Sequence, residues 1–90
     1  MLKKVPQSNI FYCQFDGKNF QEVQMLVTAI NQERKSTSVS IVKWNDGAFI
    51  SDSRVSLVNR APSKLKPGNY FVQEGTQWSI VPEDDFKLAN

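Results

Sequence analysis

Few side chains in this chain could carry out catalysis. It holds one cysteine, Cys13, and no histidine. Without histidine there is no Ser-His or Cys-His nucleophile pair, no imidazole base, and little to hold zinc. Cys13 lies within an aromatic segment, so we expect a buried and unreactive thiol. The composition therefore predicts a protein without catalytic residues, cofactor or bound metal, and not an enzyme.

Carboxylates are the remaining candidates for chemistry. Glu83, Asp84 and Asp85 are consecutive and could attract a small cation or a basic partner. We favour a solvated tail with a short helix begun by Pro82, because carboxylates stabilise helix N-termini. Residues 16–19 could present helix amides to an anion, but a turn and a helix cap explain them without a ligand. An enzyme that uses carboxylates alone would need a pair that the sequence does not place.

A basic stretch is the strongest local charge asymmetry in the chain. Residues 53–73 include no Asp or Glu. The cations of this stretch are Arg54, Arg60, Lys64 and Lys66. Such a stretch could contact nucleic acid or an acidic protein, and the rings of Tyr70 and Trp78 could stack on bases if they face solvent. The alternative is a solvated loop whose lysines keep a sheet edge soluble, with both rings in the core.

Trp44 is a further candidate for a protein contact. It precedes Asn45-Asp46-Gly47, which is a strong signal for a hairpin turn. Tryptophan is favoured at the energetic centre of interfaces, so an exposed Trp44 would serve as an anchor. The alternative is that its ring packs against a helix. Trp44, the four cations, Tyr70 and Trp78 are together the residues that we expect to contact a partner.

A small set of elements has to position these residues. Residues 10–15 predict a strand with two partly apolar faces, which suits the interior of a sheet. Residues 19–31 switch to helical spacing, with Asn19 as the cap, and predict one amphipathic helix. The other predicted segments are strands at 39–44 and 48–51, a weaker strand at 55–58, a loop over 59–67, and a closing hairpin with its tip at 74–76.

The order of these elements favours an α+β fold. We expect one small antiparallel or mixed sheet of roughly four to six strands, with the helix of residues 19–31 packed on one face. The 90 residues fit a single domain over 1–90. An apolar fraction of 40% is enough for one core, which is thin in a chain this short.

Charge and cysteine usage limit the partners and the compartment. Eleven basic and nine acidic residues give a net charge of +2, too small for a strong field toward polyanions. One cysteine in so short a chain favours a reducing compartment. The first residues carry charge without a following apolar run, and no segment has the length of a membrane span. We therefore expect a cytoplasmic protein without a membrane partner.

The two ends of the chain share a pattern with a known group. The pattern is a basic opening, a strand that ends in Gln and an aromatic residue before a glycine turn, a helix, a Lys-Pro-Gly hairpin and a Pro-to-Phe tail. The matching segments are Lys3-Lys4, residues 14–24, residues 66–72, and Pro82 with Phe86. In these segments the chain resembles small domains encoded by bacteriophages and prophages, while residues 32–64 lie outside the resemblance. The resemblance implies a phage or prophage origin and a bacterial host cell, and it implies no activity.

The lack of catalytic groups and the many aromatic residues on a thin scaffold favour a binding function. We expect a non-enzymatic protein that engages a host or phage protein through its sheet surface or edge. The alternative is a nucleic-acid-binding accessory protein that uses the basic region of residues 54–66. An exposed edge strand could also pair with a second copy and form a homo-oligomer.

Overall fold

The fold is α+β, as predicted. The computed structural model describes residues 3–4, 8–55 and 63–86. The strands are β1 (Lys3–Lys4), β2 (Ile10–Gln14), β3 (Val39–Trp44), β4 (Gly47–Asp52), β5 (Ser63–Leu65), β6 (Tyr70–Glu74) and β7 (Gln77–Val81). The helices are α1 (Phe20–Arg34) and two short 3₁₀ helices, Ser53–Val55 and Glu83–Asp85.

α1 is the amphipathic helix that the sequence predicts. The apolar residues at helical spacing that it buries are Val23, Leu26, Val27 and Ile30. Asn19 precedes it, but the Asn19 side-chain amide donates to the Gln14 carbonyl and to Glu22 Oε1 and does not cap a helix amide. The helix continues past the predicted end at residue 31, because the polar residues after it favour helix, and stops at Lys35 in the left-handed conformation. No helix in the described part of the chain is long and apolar enough to span a membrane.

The first sheet contains four antiparallel strands in the order β1-β2-β6-β7. β2 is an interior strand, as the two partly apolar faces of residues 10–15 predict. β6 and β7 form the predicted closing hairpin, and Gly75 at its tip has a φ of 62°, which glycine adopts readily. The sequence does not predict β1, because a pair of lysines carries no strand signal.

The second sheet contains three antiparallel strands in the order β3-β4-β5. A turn at Asn45 and Asp46 joins β3 to β4 as predicted, with the positive φ at Asn45. Gly47 is needed for a different reason, since a Cβ at this position would lie 2.9 Å from the Leu65 carbonyl oxygen of β5. Glycine therefore allows β5 to approach β4.

Two predictions about the segment after β4 need correction. The loop expected over residues 59–67 is wrong at its centre, where β5 pairs with β4. The Ser-Lys-Leu sequence of β5 is too short and polar to show a strand period, so its pairing depends on tertiary contacts. The strand expected at 55–58 is not seen at Val55, which ends a 3₁₀ helix, and residues 56–58 lie outside the described residues.

The prediction of a single sheet is also wrong, because the strands divide between two sheets that share α1 and one core. α1 contacts β2 and β6 of the first sheet and β3 of the second. The buried cluster draws residues from all three layers: Cys13, Phe15 and Phe71; Val23, Leu26, Val27 and Ile30; and Val39, Ala48, Ile50 and Leu65. Local patterns predict the two hairpins but not their membership of separate sheets.

Candidate functional site

The second sheet has one face on the core and one face toward solvent. Residues directly opposite one another in an antiparallel sheet point to the same side, and successive residues alternate. Ala48 and Ile50 are buried, so Phe49 between them points outward. The register places Val42 opposite Phe49 on one side and Lys64 opposite Phe49 on the other.

Trp44 completes this surface. It lies two residues after Val42 on β3 and therefore on the same side, and its ring centroid is 6.4 Å from that of Phe49 in a tilted arrangement. We call Val42, Trp44, Phe49 and Lys64 the outer face. Because α1 packs on the opposite side of this sheet, the alternative in which Trp44 packs against a helix does not hold.

The outer face holds two of the large exposed apolar side chains of the described residues. Trp44 is 58% exposed and Val42 is 56% exposed, while Phe49 is half-buried between them. The other large apolar side chains exposed in the described residues, Phe11 and Met25, lie on β2 and α1. Contiguous exposed apolar surface marks a contact site more often than isolated exposed residues do. The outer face is therefore the candidate functional site.

The cations of the basic stretch do not form one cluster. Lys64 belongs to the outer face, and Lys66 follows β5 near the turn between β3 and β4. Arg54 lies beyond the other end of β4. At the rise of a β-strand it is on the order of 15–20 Å from Lys64. All three side chains are exposed, and Arg60 lies outside the described residues.

Trp78 faces the core side of the first sheet and has internal partners. Its indole N–H donates to Asp52 Oδ2 at 2.7 Å, and its ring stacks on Phe71 with centroids 5.6 Å apart. Asp52 also accepts a hydrogen bond from Arg34 Nη1 at 2.8 Å, and both of these charged side chains are only 2% exposed. Trp78 thus links the two sheets through a buried ion pair.

Asp52 is held in its charged form by this cluster. Burial by itself raises the pKa of the Asp52 carboxyl. The hydrogen bonds from Arg34, from the Trp78 indole and from the Arg54 amide outweigh burial and hold that pKa below its ordinary value of 3.8. The one acid on the strands of the second sheet is therefore internally neutralised, which leaves Lys43 and Lys64 as the exposed charges on these strands, with Asp46 in the turn between β3 and β4.

Tyr70 lies on the other side of the first sheet from Trp78. Its ring stacks on Phe86 with centroids 3.9 Å apart and an interplanar angle of 9°, and Tyr12 packs beside both rings. Phe86 of the Pro-to-Phe tail therefore packs on the Tyr70 ring. Tyr70 and Trp78 are not brought together as one stacking platform.

The remaining chemical candidates have structural explanations in the described residues. Cys13 is 2% exposed, and burial raises the pKa of its thiol to about 11. The Asp16 carboxylate accepts hydrogen bonds from the amides of Lys18 and Asn19. These two amides in the turn before α1 therefore already have an anionic partner within the protein. Glu83, Asp84 and Asp85 are exposed, and no group of three metal-ligating side chains is assembled in the described ranges.

The structure thus brings together two residues that were expected to contact a partner, Trp44 and Lys64. It adds Val42 and Phe49, which the sequence analysis missed. Alternation could have found both, since 42, 44 and 49 fall on one side once the hairpin turn is fixed. The case for a function rests on this outer face, since comparison of the chain with protein-family models, with characterised proteins and with solved structures finds no match.

Proposed function

We propose that this chain is a non-enzymatic binding protein that engages a protein partner through the outer face. The observation that carries the proposal is the exposure of Trp44 and Val42, each more than half accessible, on the same side of one sheet. The Trp44 and Phe49 rings form a pair with centroids 6.4 Å apart, and Val42 lies directly opposite Phe49 in the β3–β4 register. Leaving this surface in water costs free energy that a partner would recover on binding.

The chemistry of the outer face suits a protein more than a small ligand. Interfaces combine a small apolar centre, often with tryptophan, and a charged rim. Trp44, Val42 and Phe49 supply such a centre, and Lys64 lies at its margin. The face is formed by three paired strands, so little backbone conformational entropy has to be lost on binding.

Affinity capture with matched variants tests this proposal. The tagged protein and its Trp44→Ala variant would be incubated with bacterial lysate, and bound proteins quantified by mass spectrometry. Met25→Gln is the control, because Met25 is a 57% exposed apolar residue on α1, away from the outer face. We expect a partner retained by the wild type and by Met25→Gln and lost with Trp44→Ala. Equal capture by all three proteins, or no specific partner, would overturn the proposal.

A phage or prophage origin and a bacterial cytoplasmic setting belong to the same proposal. They are supported by the resemblance carried by the two ends of the chain. Phage genes cluster by role, so the genes on either side of this one test the origin. Neighbouring genes of viral structure or host takeover are expected, and a neighbourhood of housekeeping genes would contradict the origin.

Nucleic-acid binding is a second candidate, favoured by the position of Lys64 beside Phe49 on the face that also exposes Trp44. A strand of nucleic acid would place phosphates on Lys64 and Lys66 and stack a base on Trp44. Fluorescence anisotropy with short single-stranded and double-stranded oligonucleotides over a salt series tests it. Lys64→Glu with Lys66→Glu should weaken binding and reduce the salt slope by about 2. Unchanged affinity in this variant would exclude the second candidate.

A further inference from the structure

β3 lies at an open edge of the second sheet, and its orientation can be read from its first residue. The Val39 amide donates to Asn31 Oδ1 at 3.0 Å, and the Val39 carbonyl accepts from Asn31 Nδ2 at 2.9 Å. Both pairing groups of Val39 are therefore directed toward α1 and away from β4. Asn31 acts at this point as the neighbour that an edge strand lacks.

The next outward pairing groups on β3 belong to Ile41 and Lys43. In an antiparallel strand, alternate residues direct their amide and carbonyl to the same side. Since Val39 points away from β4, Ile41 and Lys43 do so as well. β3 is terminal in the strand order, so the sheet has no further strand beyond this edge in the described part of the chain. The edge thus offers two residues for pairing, bounded at one end by Asn31.

Charge indicates what could pair there. The exposed charged side chains on the strands of this sheet are Lys43 and Lys64, and its one acid, Asp52, is buried against Arg34. An added strand with an acidic side chain beside Lys43 would be attracted to this edge. A second copy of β3 paired so that Lys43 faces Lys43 would instead place like charges directly opposite each other, which is destabilising.

We infer that the partner contributes an extended acidic segment, which adds to the second sheet as a strand beside β3. The segment pairs with the backbone of Ile41 and Lys43 and stops at Asn31, which already occupies Val39. Strand addition of this kind takes affinity from backbone hydrogen bonds and specificity from alternate side chains. The side chains of the added strand that point to the outer face contact Val42 and Trp44. The inference rests on the proposed function and names the form of its partner.

Peptide selection followed by hydrogen exchange tests the inference. A display library of short random peptides would be selected on the immobilised protein, and an enriched peptide added to the labelled protein for NMR. We expect enriched peptides to alternate apolar and acidic residues. We also expect the amides of Ile41 and Lys43 to exchange at least tenfold more slowly with the peptide bound.

Two variants at Lys43 distinguish the contribution of its backbone amide to peptide affinity from the contribution of its charge. Lys43→Pro removes an outward amide and leaves the β3–β4 pairing groups intact, as proline is tolerated on the open side of edge strands. Lys43→Gln removes only the charge. We expect peptide affinity to fall at least tenfold in Lys43→Pro and a few-fold in Lys43→Gln. Should Lys43→Pro fail to fold, the exchange of the two amides in the wild type decides the question alone.

The remaining outcomes overturn the inference in distinguishable ways. Peptides that shift the resonances of Val42 and Trp44 while Ile41 and Lys43 exchange freely would refute strand addition and leave the proposed function standing. Selection of no peptide, or of basic peptides only, would also refute it. A concentration-dependent dimer that Lys43→Pro dissociates would show that the edge pairs with a second copy instead. The capture experiment with Trp44→Ala tests the proposed function independently of all these results.

Discussion

Asp52 is the residue whose chemistry most clearly couples the parts of this molecule. It is the last residue of β4. Its carboxylate accepts hydrogen bonds from Arg34 in the last turn of α1 and from Trp78 in β7 of the other sheet. A buried ion pair gives little net stability over apolar residues of the same volume, because both charges lose water. Removing one member is different, since the other then stays buried without a partner. The cluster therefore fixes the relative position of the two sheets.

Asp52→Asn should be strongly destabilising. The amide cannot balance the Arg34 charge and presents a donor to Arg34 or to the Trp78 indole. We expect a loss of about 3 kcal/mol in the free energy of unfolding, measured by urea denaturation at neutral pH. The double replacement Arg34→Met with Asp52→Leu is the control and should recover much of that loss. Arg34→Met and Asp52→Leu, each measured alone, complete a double-mutant cycle, and a loss in the double variant equal to the sum of the two single losses would contradict a coupled pair.

The lowered pKa of Asp52 predicts acid sensitivity. A carboxyl whose pKa is lower in the folded protein stabilises the fold above its unfolded-state pKa, and this contribution disappears as the pH falls through the folded-state pKa. The difference in unfolding free energy between wild type and Asp52→Asn should therefore be constant near neutral pH and shrink below about 3.8. Asp16, whose pKa the Lys18 and Asn19 amides lower, retains its own acid sensitivity in both proteins. A difference that does not change down to pH 2 would contradict the prediction.

Cys13 should be inert to thiol reagents in the folded protein. With its pKa raised from 9.0 to about 11, the thiolate fraction at mildly alkaline pH is about 100-fold lower than for an ordinary thiol, and the side chain is buried. We expect labelling by an aromatic disulfide reagent to be at least that much slower in native buffer than in urea. Comparable rates in the two buffers would mean that the β2 region opens readily.

At the scale of elements, local signals explain the helix and both hairpins. Helical spacing with buried Val23 and Ile30 gives α1, and turns at Asn45 and Gly75 give the hairpins. Alternation from the first turn would also have placed Trp44 on the outer face. β5 could not be predicted, because its pairing depends on Gly47 admitting the Leu65 backbone, a contact without a local sequence signal.

Asn31 is the element-scale contact that we expect to matter most for β3. Its side chain makes two hydrogen bonds with Val39 and thereby anchors the start of β3 on α1. Asn31→Ala should cost about 1–2 kcal/mol in the free energy of unfolding and increase hydrogen exchange at the Val39 amide. Gln24→Ala, on an exposed part of the same helix, is the matched control and should change stability by less than about 0.5 kcal/mol. Equal effects of the two replacements would contradict an anchoring role.

At the scale of the whole molecule, the division into two sheets was beyond local patterns. The order of strands along the chain is compatible with one sheet. Only tertiary contacts show that β3, β4 and β5 form a separate sheet, one face of which is exposed to solvent. The buried Arg34 lies in the last turn of α1, beyond residue 31 where the sequence predicts the helix to end. The same division explains why Trp44 and Trp78 have different environments, one exposed beside Phe49 and the other bonded to Asp52.

We infer that Trp44 serves binding and that Trp78 serves folding. The most direct measurement is the dissociation constant of the captured partner for Trp44→Ala and Trp78→Phe, with the unfolding free energy of each variant. We predict that Trp44→Ala binds at least tenfold more weakly with little change in stability. We predict that Trp78→Phe loses about 1–3 kcal/mol of stability, because Asp52 loses a donor, and keeps wild-type affinity. Wild-type affinity in Trp44→Ala, or lost affinity in a folded Trp78→Phe, would contradict the claim.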